Sequence, residues 1–162
     1  MGIDSVRFNT VIKDSNLDQI LPIAEFAREL RCGVNFSSYS DSKNGSRSGT
    51  IEGDRIAELE MVTAALLEFK RRHRGVISNS DYYLENIPRY VRGEMTEPCR
   101  SGMRTIHVDP TGHVKRCPDF PTDFHWTEFR KYKPIDCNAC YYACRGEAQA
   151  PLRLSRVRDV LA

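Results

Sequence analysis

Apolar and polar residues alternate at the start of the chain, then recur at helical spacing, and then alternate again. Residues 5–13 and 34–39 follow the two-residue period of a β-strand, whereas residues 17–31 repeat apolar side chains at helical spacing. Because the joints are short, the pattern predicts a strand–helix–strand unit with parallel strands and a right-handed crossover. Asn16 is expected to cap the helix. The positions expected to face the helix are Val6, Phe8, Thr10 and Ile12, and the helix stripe is Leu17, Ile20, Leu21, Ala24, Ala27 and Leu30.

The other face of the two predicted strands is polar. It carries Arg7 and Asn9 on the first strand and Asn35 and Ser37 on the second. A parallel sheet that is covered on both sides usually has apolar residues on both faces. Two interpretations therefore remain open: an exposed or internally hydrogen-bonded polar face, or the polar interior of a barrel that binds a ligand.

The middle of the chain predicts a linker followed by a second domain. Residues 41–54 are rich in serine and glycine, which separates a first domain, residues 1–40, from a second, residues 55–162. The second domain begins with a predicted helix over residues 55–73 and ends with one over 151–161. The apolar stripe of the helix after the linker is Ile56, Leu59, Val62, Leu66 and Phe69.

Turn chemistry defines the elements between these two helices. Ser80 or Asp81 can begin a short helix that runs through Tyr90. The tetrapeptide 109–112, Asp-Pro-Thr-Gly, predicts the turn of a β-hairpin with arms at 103–108 and 113–116. The segment after the hairpin, 118–136, is rich in aromatic residues and proline and is expected to be irregular.

Composition and charge narrow the class of protein. The net charge of +2 gives no reason to expect nucleic acid as a partner. No apolar run approaches the ~20 residues that cross a bilayer, and the N-terminus lacks a signal-peptide pattern. We therefore expect a cytoplasmic protein without a membrane partner. In that reducing compartment, clustered cysteines favour metal ligation over disulfides.

The cysteines carry the most specific chemical signal in the chain. Five of the six lie between residues 99 and 144, namely Cys99, Cys117, Cys137, Cys140 and Cys144. The hairpin brings one pair together, and the Cys-x-x-Cys loop of the later run presents two thiolates to one centre. Thiolates suit both zinc and iron–sulfur clusters. Structural zinc ribbons usually have two such short loops, whereas this chain has one, which modestly favours a cluster.

The spacing of these cysteines resembles a known family. The arrangement Cys99-x12-Gly112-x4-Cys117, followed by Cys-x-x-Cys, resembles the SPASM/twitch auxiliary-cluster region of radical S-adenosylmethionine (SAM) enzymes. The full SPASM pattern has seven cysteines and two [4Fe–4S] clusters, so the resemblance implies one cluster here, as in the twitch variety. It implies Cys99, Cys117 and Cys137 as ligands, with Cys140 or Cys144 as the fourth.

The N-terminal residues resemble the same family. The segment from Val6 to Ile12, with its helix and the strand 34–39, resembles the fifth and sixth strands of the radical SAM partial barrel. The resemblance implies that Arg7, Asn9 and Asn35 lie near SAM. The expected fold class is α/β (α+β): a strand–helix–strand remnant of the partial barrel, then helices and a small β-hairpin domain.

The initiating Cys-x3-Cys-x2-Cys motif of the family has no counterpart in this sequence. We therefore expect the C-terminal portion of a larger radical SAM oxidoreductase, which alone cannot cleave SAM. Its implied partners are the N-terminal half of the barrel and a peptide or small-molecule substrate, and SAM would be a cofactor only of the full-length enzyme. The alternative is a binding module that is stabilised by zinc and has no redox role.

The sequence also predicts roles for several side chains near the cysteines. Tyr141 and Tyr142 are expected to shield the centre, and Arg145 to fix the turn rather than to bond sulfur. His125 and Trp126 are expected to pack over the same region.

Overall fold

The chain is an α/β protein with mixed helices and strands. The computed structural model describes residues 6–41, 45–95, 97–119, 124–131 and 137–151. In chain order the elements are β1 (Arg7–Ile12), a 3₁₀ helix (Asp14–Gln19), α1 (Ile20–Glu29), β2 (Gly33–Ser38), α2 (Arg55–Arg72), α3 (Asp81–Val91), β3 (His107–Val108), β4 (His113–Lys115), β5 (Phe124–His125), a second 3₁₀ helix (Trp126–Lys131) and α4 (Ala143–Gln149).

The predicted strand–helix–strand unit is confirmed. β1 and β2 pair in parallel, with Arg7 opposite Gly33 and Ile12 opposite Ser38. Phe8 turns toward the crossover helix, where its ring stacks on that of Phe26 at 6.0 Å between centroids. The predicted helix stripe is confirmed in part: Leu17, Ile20, Ala24 and Ala27 are buried, whereas Leu21 is half-buried and Leu30 is 51% exposed.

The start of the crossover helix differs from the prediction, and the expected cap at Asn16 is wrong. A 3₁₀ turn precedes α1, and the Asn16 side chain ties this turn back to the strand instead of capping the helix. Its Oδ1 accepts from the Lys13 N–H and its Nδ2 donates to the Val11 carbonyl, both at 2.9 Å. Asparagine competes for nearby backbone groups in this way, and here the strand end is the nearer partner.

The second edge of β2 is closed by a short segment and two side chains. The Val34 N–H donates to the Val76 carbonyl at 2.7 Å. Two residues further, the Asn79 side chain takes the place of a strand, because its Oδ1 accepts from Phe36 N at 2.7 Å and its Nδ2 donates to Phe36 O at 2.9 Å. The Tyr83 hydroxyl then accepts from Ser38 N at 2.8 Å. The edge is therefore satisfied without a third full strand.

The long helices cover the sheet and share one hydrophobic core with it. The predicted stripe of α2 is confirmed, with Leu59, Leu66 and Phe69 buried. Residues before and after 41–54 contribute to this core, so the division into two domains there stays a prediction. Ser80 is the N-cap of α3, as predicted, and its hydroxyl accepts from Tyr83 N at 3.1 Å.

The predicted hairpin forms, but with a shorter first arm. β3 and β4 pair antiparallel around the turn, and β5 adds a third strand that pairs with β4. The strand β5 lies in the segment that we expected to be irregular. Gly112 at the turn has φ +85°, and an added Cβ would lie 2.5 Å from the His125 Nε2. Both the positive φ and the lack of room for a Cβ therefore require glycine at this position.

The terminal helix that we predicted over 151–161 lies outside the described residues, apart from Pro151. None of the helices in the described part of the chain is long and apolar enough to cross a membrane.

We predict that Asn79→Ala destabilises the protein through the edge of β2. The substitution leaves the N–H and carbonyl of Phe36 without their partner, which should lower the free energy of unfolding by about 2–4 kcal/mol. Urea denaturation measures the change. Gln19→Ala removes an exposed amide and should change stability by less than about 0.5 kcal/mol. Equal effects of the two substitutions would contradict the role assigned to Asn79.

Candidate metal centre

Four thiols from the hairpin region and the later cysteine run lie close enough to influence one another. Cys99, Cys117 and Cys140 are buried, and Cys144 is half-buried. Burial raises the pKa of the Cys140 thiol to about 12, and the neighbouring thiols Cys117, Cys144 and Cys99 raise it as well. Burial also raises the pKa of Cys144, again with Cys117 and Cys99 contributing. The thiols of Cys140 and Cys144 are therefore protonated at neutral pH unless a cation replaces the protons.

Backbone N–H groups point at the sulfurs. The N–H two residues after Cys99 donates to its sulfur at 3.3 Å, and that two residues after Cys137 does so at 3.5 Å. Hydrogen bonds from the backbone two residues after Cys140 and one residue after Cys144 lower the pKa of those thiols against the effect of burial. Donors of this kind stabilise thiolates and tune the potential of a bound centre.

A buried hydroxyl beside the thiols has no other partner. Ser101 Oγ makes no regular hydrogen bond with the described residues, although Ser101 is only 2% exposed. It lies near Cys144, where it lowers the pKa of the thiol. A polar atom left in this position fits a thiolate at Cys144, so the donor set has the chemistry of a metal or cluster site.

The thiol side chains of the described residues do not converge on one point. Among the residues that the structure describes, no group of three or more His, Cys, Asp or Glu side chains stands ready to hold a metal ion. A mutual influence on pKa requires only that the thiols lie near one another, which is a weaker condition than coordination. Rotation about the single χ1 bond moves a cysteine sulfur, so neighbouring thiols can turn toward a common centre.

Which four of the five thiols share a centre stays a prediction. Cys117 and Cys99 raise the pKa of both Cys140 and Cys144. Cys137 contributes through its backbone, since its carbonyl accepts from the Cys99 N–H at 2.8 Å. This bond fastens the later cysteine run to the segment before the hairpin.

Arg145 fixes the cysteine loop, as predicted. Its guanidinium is 1% exposed and donates to the Cys140 carbonyl, to the Glu97 carbonyl at 2.8 Å and to Asn138 Oδ1. It also lies over the Tyr141 ring, 5.8 Å from the centroid. A planar fork can satisfy several carbonyls at once, which explains why arginine occupies this buried position.

Tyr141, directly after Cys140, anchors the loop to the rest of the fold. Its buried ring lies between those of Tyr83 and Tyr90, at 5.1 and 5.6 Å. Its carbonyl accepts from the Ser38 hydroxyl and, at 3.2 Å, from the Tyr83 hydroxyl. The expectation of a shielding aromatic missed this role, because the partners lie 58 and 103 residues away in sequence.

Helix α4, which carries Cys144, packs closely on α3. A Cβ added at Gly146 would overlap the Tyr83 Cδ2 and lie 2.9 Å from its Cε2. One residue further, Glu147 Oε1 accepts from the Ser80 N–H at 2.8 Å. The helix is therefore docked by both shape and a hydrogen bond at the start of α3.

Two of the three predicted ligand-binding residues line a cleft beside the cysteine loop. Asn9 and Asn35 lie on its sheet side, whereas Tyr142 and Cys144 lie on its other wall, and its volume is about 410 Å³. Arg7 follows the same strand face but packs its stem over Gly33 and is not among the described lining residues.

His125 and Trp126 do not cover the cysteines, so that prediction is wrong. His125 pairs with His113 across β5 and β4, and both it and Trp126 pack against Gly112 at the hairpin turn. Trp126 is 59% exposed. The pairing of β5 with β4 places these rings at the far end of the hairpin.

Comparisons of the chain with protein-family models, with curated proteins and with solved structures found no match. The resemblance in cysteine spacing therefore stays a prediction. What the chain can do must be argued from the arrangement of its own side chains.

We predict that Gly146→Ala destabilises the protein although it lies in a helix. Alanine normally stabilises a helix interior relative to glycine by about 0.5–1 kcal/mol. Here the added methyl group meets the Tyr83 ring, and overpacking should lower stability by about 1–3 kcal/mol. Urea denaturation gives the sign directly. A stabilised variant would show that α4 is not docked on α3 as described.

We predict that Arg145→Lys exposes the cysteine loop. Lysine keeps the charge but cannot reach the carbonyls of Cys140 and Glu97 together, so the loop should open more often. Labelling by a thiol reagent, mapped by mass spectrometry, should be about tenfold faster at Cys140, the factor that ~1.4 kcal/mol of lost hydrogen bonding produces. Arg28→Lys, on α1, is the control and should leave the rate unchanged. Unaltered labelling at Cys140 would rule out the fixing role.

Proposed function

We propose that this chain is the part of a radical SAM oxidoreductase that holds one auxiliary [4Fe–4S] cluster and positions the substrate. The observation that carries the proposal is that four thiols lie near one another, because Cys99 and Cys117 raise the pKa of both Cys140 and Cys144 and a backbone N–H is directed at the Cys99 sulfur. When bound, such a cluster supplies or accepts single electrons. Clustered thiols of this kind persist in a reducing compartment, which supports a cytoplasmic location.

The chain's own residues have three tasks in this proposal. Arg145 holds the carbonyl of Cys140 and so orients the loop that bears two of the thiols. Tyr141 and its flanking tyrosines exclude water from one side of the centre, which keeps the dielectric low and strengthens the N–H to sulfur bonds. The polar face of β1 and β2 holds the substrate beside Cys144.

The free edge of β1 supports the proposal of a missing partner. In the described part of the chain, β1 has a strand neighbour on one side only. Parallel sheets occur almost only with several strands and with both faces covered. Next to this edge, Val11 and Phe26 are 42% and 53% exposed. We therefore propose that further barrel strands pair with β1, and that SAM binds and is cleaved only when that N-terminal half is present.

A zinc-stabilised binding module is the second candidate. Four cysteine thiolates also make a closed tetrahedral zinc site, and such sites contribute folding energy without redox chemistry. The buried position of the thiols suits this alternative equally well. The two candidates differ in what the thiols bind under anaerobic conditions.

We predict that anaerobic treatment with iron and sulfide gives about four irons per chain and absorption typical of a [4Fe–4S] cluster. Replacing any one of Cys99, Cys117, Cys140 or Cys144 by serine should lower the bound iron at least severalfold, because each supplies one thiolate. Iron and sulfide analysis, together with the EPR signal of the reduced sample, measures the outcome.

Cys32→Ser and Cys137→Ser are the matched controls for this series. Cys32 lies at the joint before β2, and Cys137 contributes its carbonyl, which serine retains. Both variants should load normally. Stoichiometric zinc that iron and sulfide do not displace would favour the binding module, and equal loading of all six variants would contradict a four-thiolate site.

A further inference from the structure

We infer that the cleft beside the cysteine loop binds an amino-acid amide or peptide segment, whose carbonyl oxygen accepts a hydrogen bond from the Asn9 side chain. The inference deepens the proposed function by naming a substrate class, and it rests on that function only for the identification of the bound group as a substrate. It is carried by the direction of a chain of side-chain amides that ends in the cleft.

The first amide of the chain has only one possible orientation. Asn79 is 1% exposed and is bonded to both backbone groups of Phe36. A backbone N–H can only donate and a backbone carbonyl can only accept, so the Oδ1 and Nδ2 positions of Asn79 are fixed. The second hydrogen of its Nδ2 is left to donate toward the polar face of the sheet.

The fixed orientation of Asn79 in turn fixes the orientation of two further asparagine side chains. Asn79 Nδ2 donates to Asn35 Oδ1 at 2.9 Å, and Asn35 Nδ2 donates to Asn9 Oδ1 at 2.9 Å. Asn9 lies directly opposite Asn35 in the parallel pair. Because each oxygen is used as an acceptor, the group that remains at the end is the NH₂ of Asn9. That group has no acceptor among the described residues, so it offers donors to a ligand.

The surroundings of Asn9 select the class of ligand. The cleft of about 410 Å³ falls within the range of small-ligand sites. Val11 and Ala143 give it apolar surface, and Asp119 places a carboxylate on its wall. None of the described lining residues is basic, which disfavours phosphate-bearing ligands. A donor at Asn9 and an acceptor at Asp119 together match a carbonyl next to an amino or amide N–H group.

The test compares two small ammonium probes, of which one carries an amide carbonyl and the other carries none. Alaninamide carries an amide carbonyl and an ammonium group, whereas isobutylamine carries the ammonium group and no carbonyl. Titration followed by ¹⁵N-resolved NMR of the asparagine side-chain NH₂ signals should show that alaninamide shifts the Asn9 signal and binds more tightly. Inorganic phosphate should not bind. Equal affinity for the two amines, or binding of phosphate, would overturn the inference.

Two variants assign the contacts within the cleft. Asn9→Leu removes the donor at similar size and should weaken alaninamide binding about fivefold without changing isobutylamine binding, as expected for one hydrogen bond. Asp119→Asn should weaken both amines alike. Gln19→Leu, which also replaces a side-chain amide by leucine but at an exposed position outside the cleft, should change neither. An Asn9→Leu variant that binds alaninamide as the parent protein does would refute the assigned contact.

One further variant distinguishes a failure of this inference from a failure of the proposed function. Cys99→Ser is expected to lose the cluster but to keep the sheet side of the cleft, so its affinity for alaninamide should persist. If the parent protein fails to load iron but still binds alaninamide, the cluster proposal alone is overturned. Normal loading without preference for alaninamide would overturn the cleft assignment alone.

Discussion

Burial of Tyr141 is the interaction on which the arrangement of the cysteines depends. Its ring fills the space between Tyr83 and Tyr90, and its carbonyl accepts hydrogen bonds from Ser38 and Tyr83. Since Tyr141 follows Cys140 directly, fixing one backbone carbonyl also fixes where the neighbouring thiol can lie. A loop without regular secondary structure thereby gains a position as well defined as that of a helix residue.

The same contacts join the cysteine loop to the sheet. Tyr83 accepts from the backbone of Ser38 at the end of β2 and donates to Tyr141, so one hydroxyl closes the sheet edge and anchors the loop. Burial raises the pKa of this hydroxyl, which keeps it protonated and able to donate. Helix α4 packs on the same ring through Gly146. A movement of Tyr83 would therefore change its contacts with the sheet, the loop and the helix together.

Features set by neighbouring residues could be predicted from the sequence, whereas those set by distant ones could not. The parallel strands, the stripe of α2 and the cap at Ser80 follow from periodicity and local hydrogen bonding. Asn79 replaces a strand by contacts with Phe36, 43 residues away, and no local pattern marks it. Motif order does not state which of the five sulfurs meet in space, so the choice of ligands stays a prediction.

The charge of the proposed centre and the chemistry of the cleft are consistent with each other. Four thiolates around a cluster or a zinc ion leave a net negative charge, whose field extends into the neighbouring cleft. A basic side chain facing Cys144 would be drawn to the thiolates and would compete with the metal for them. Neutral amides avoid this competition while still giving direction, because each carries a donor and an acceptor at fixed positions. Near such a centre, the orientation of Asn9 and Asn35 can therefore select a ligand without adding charge.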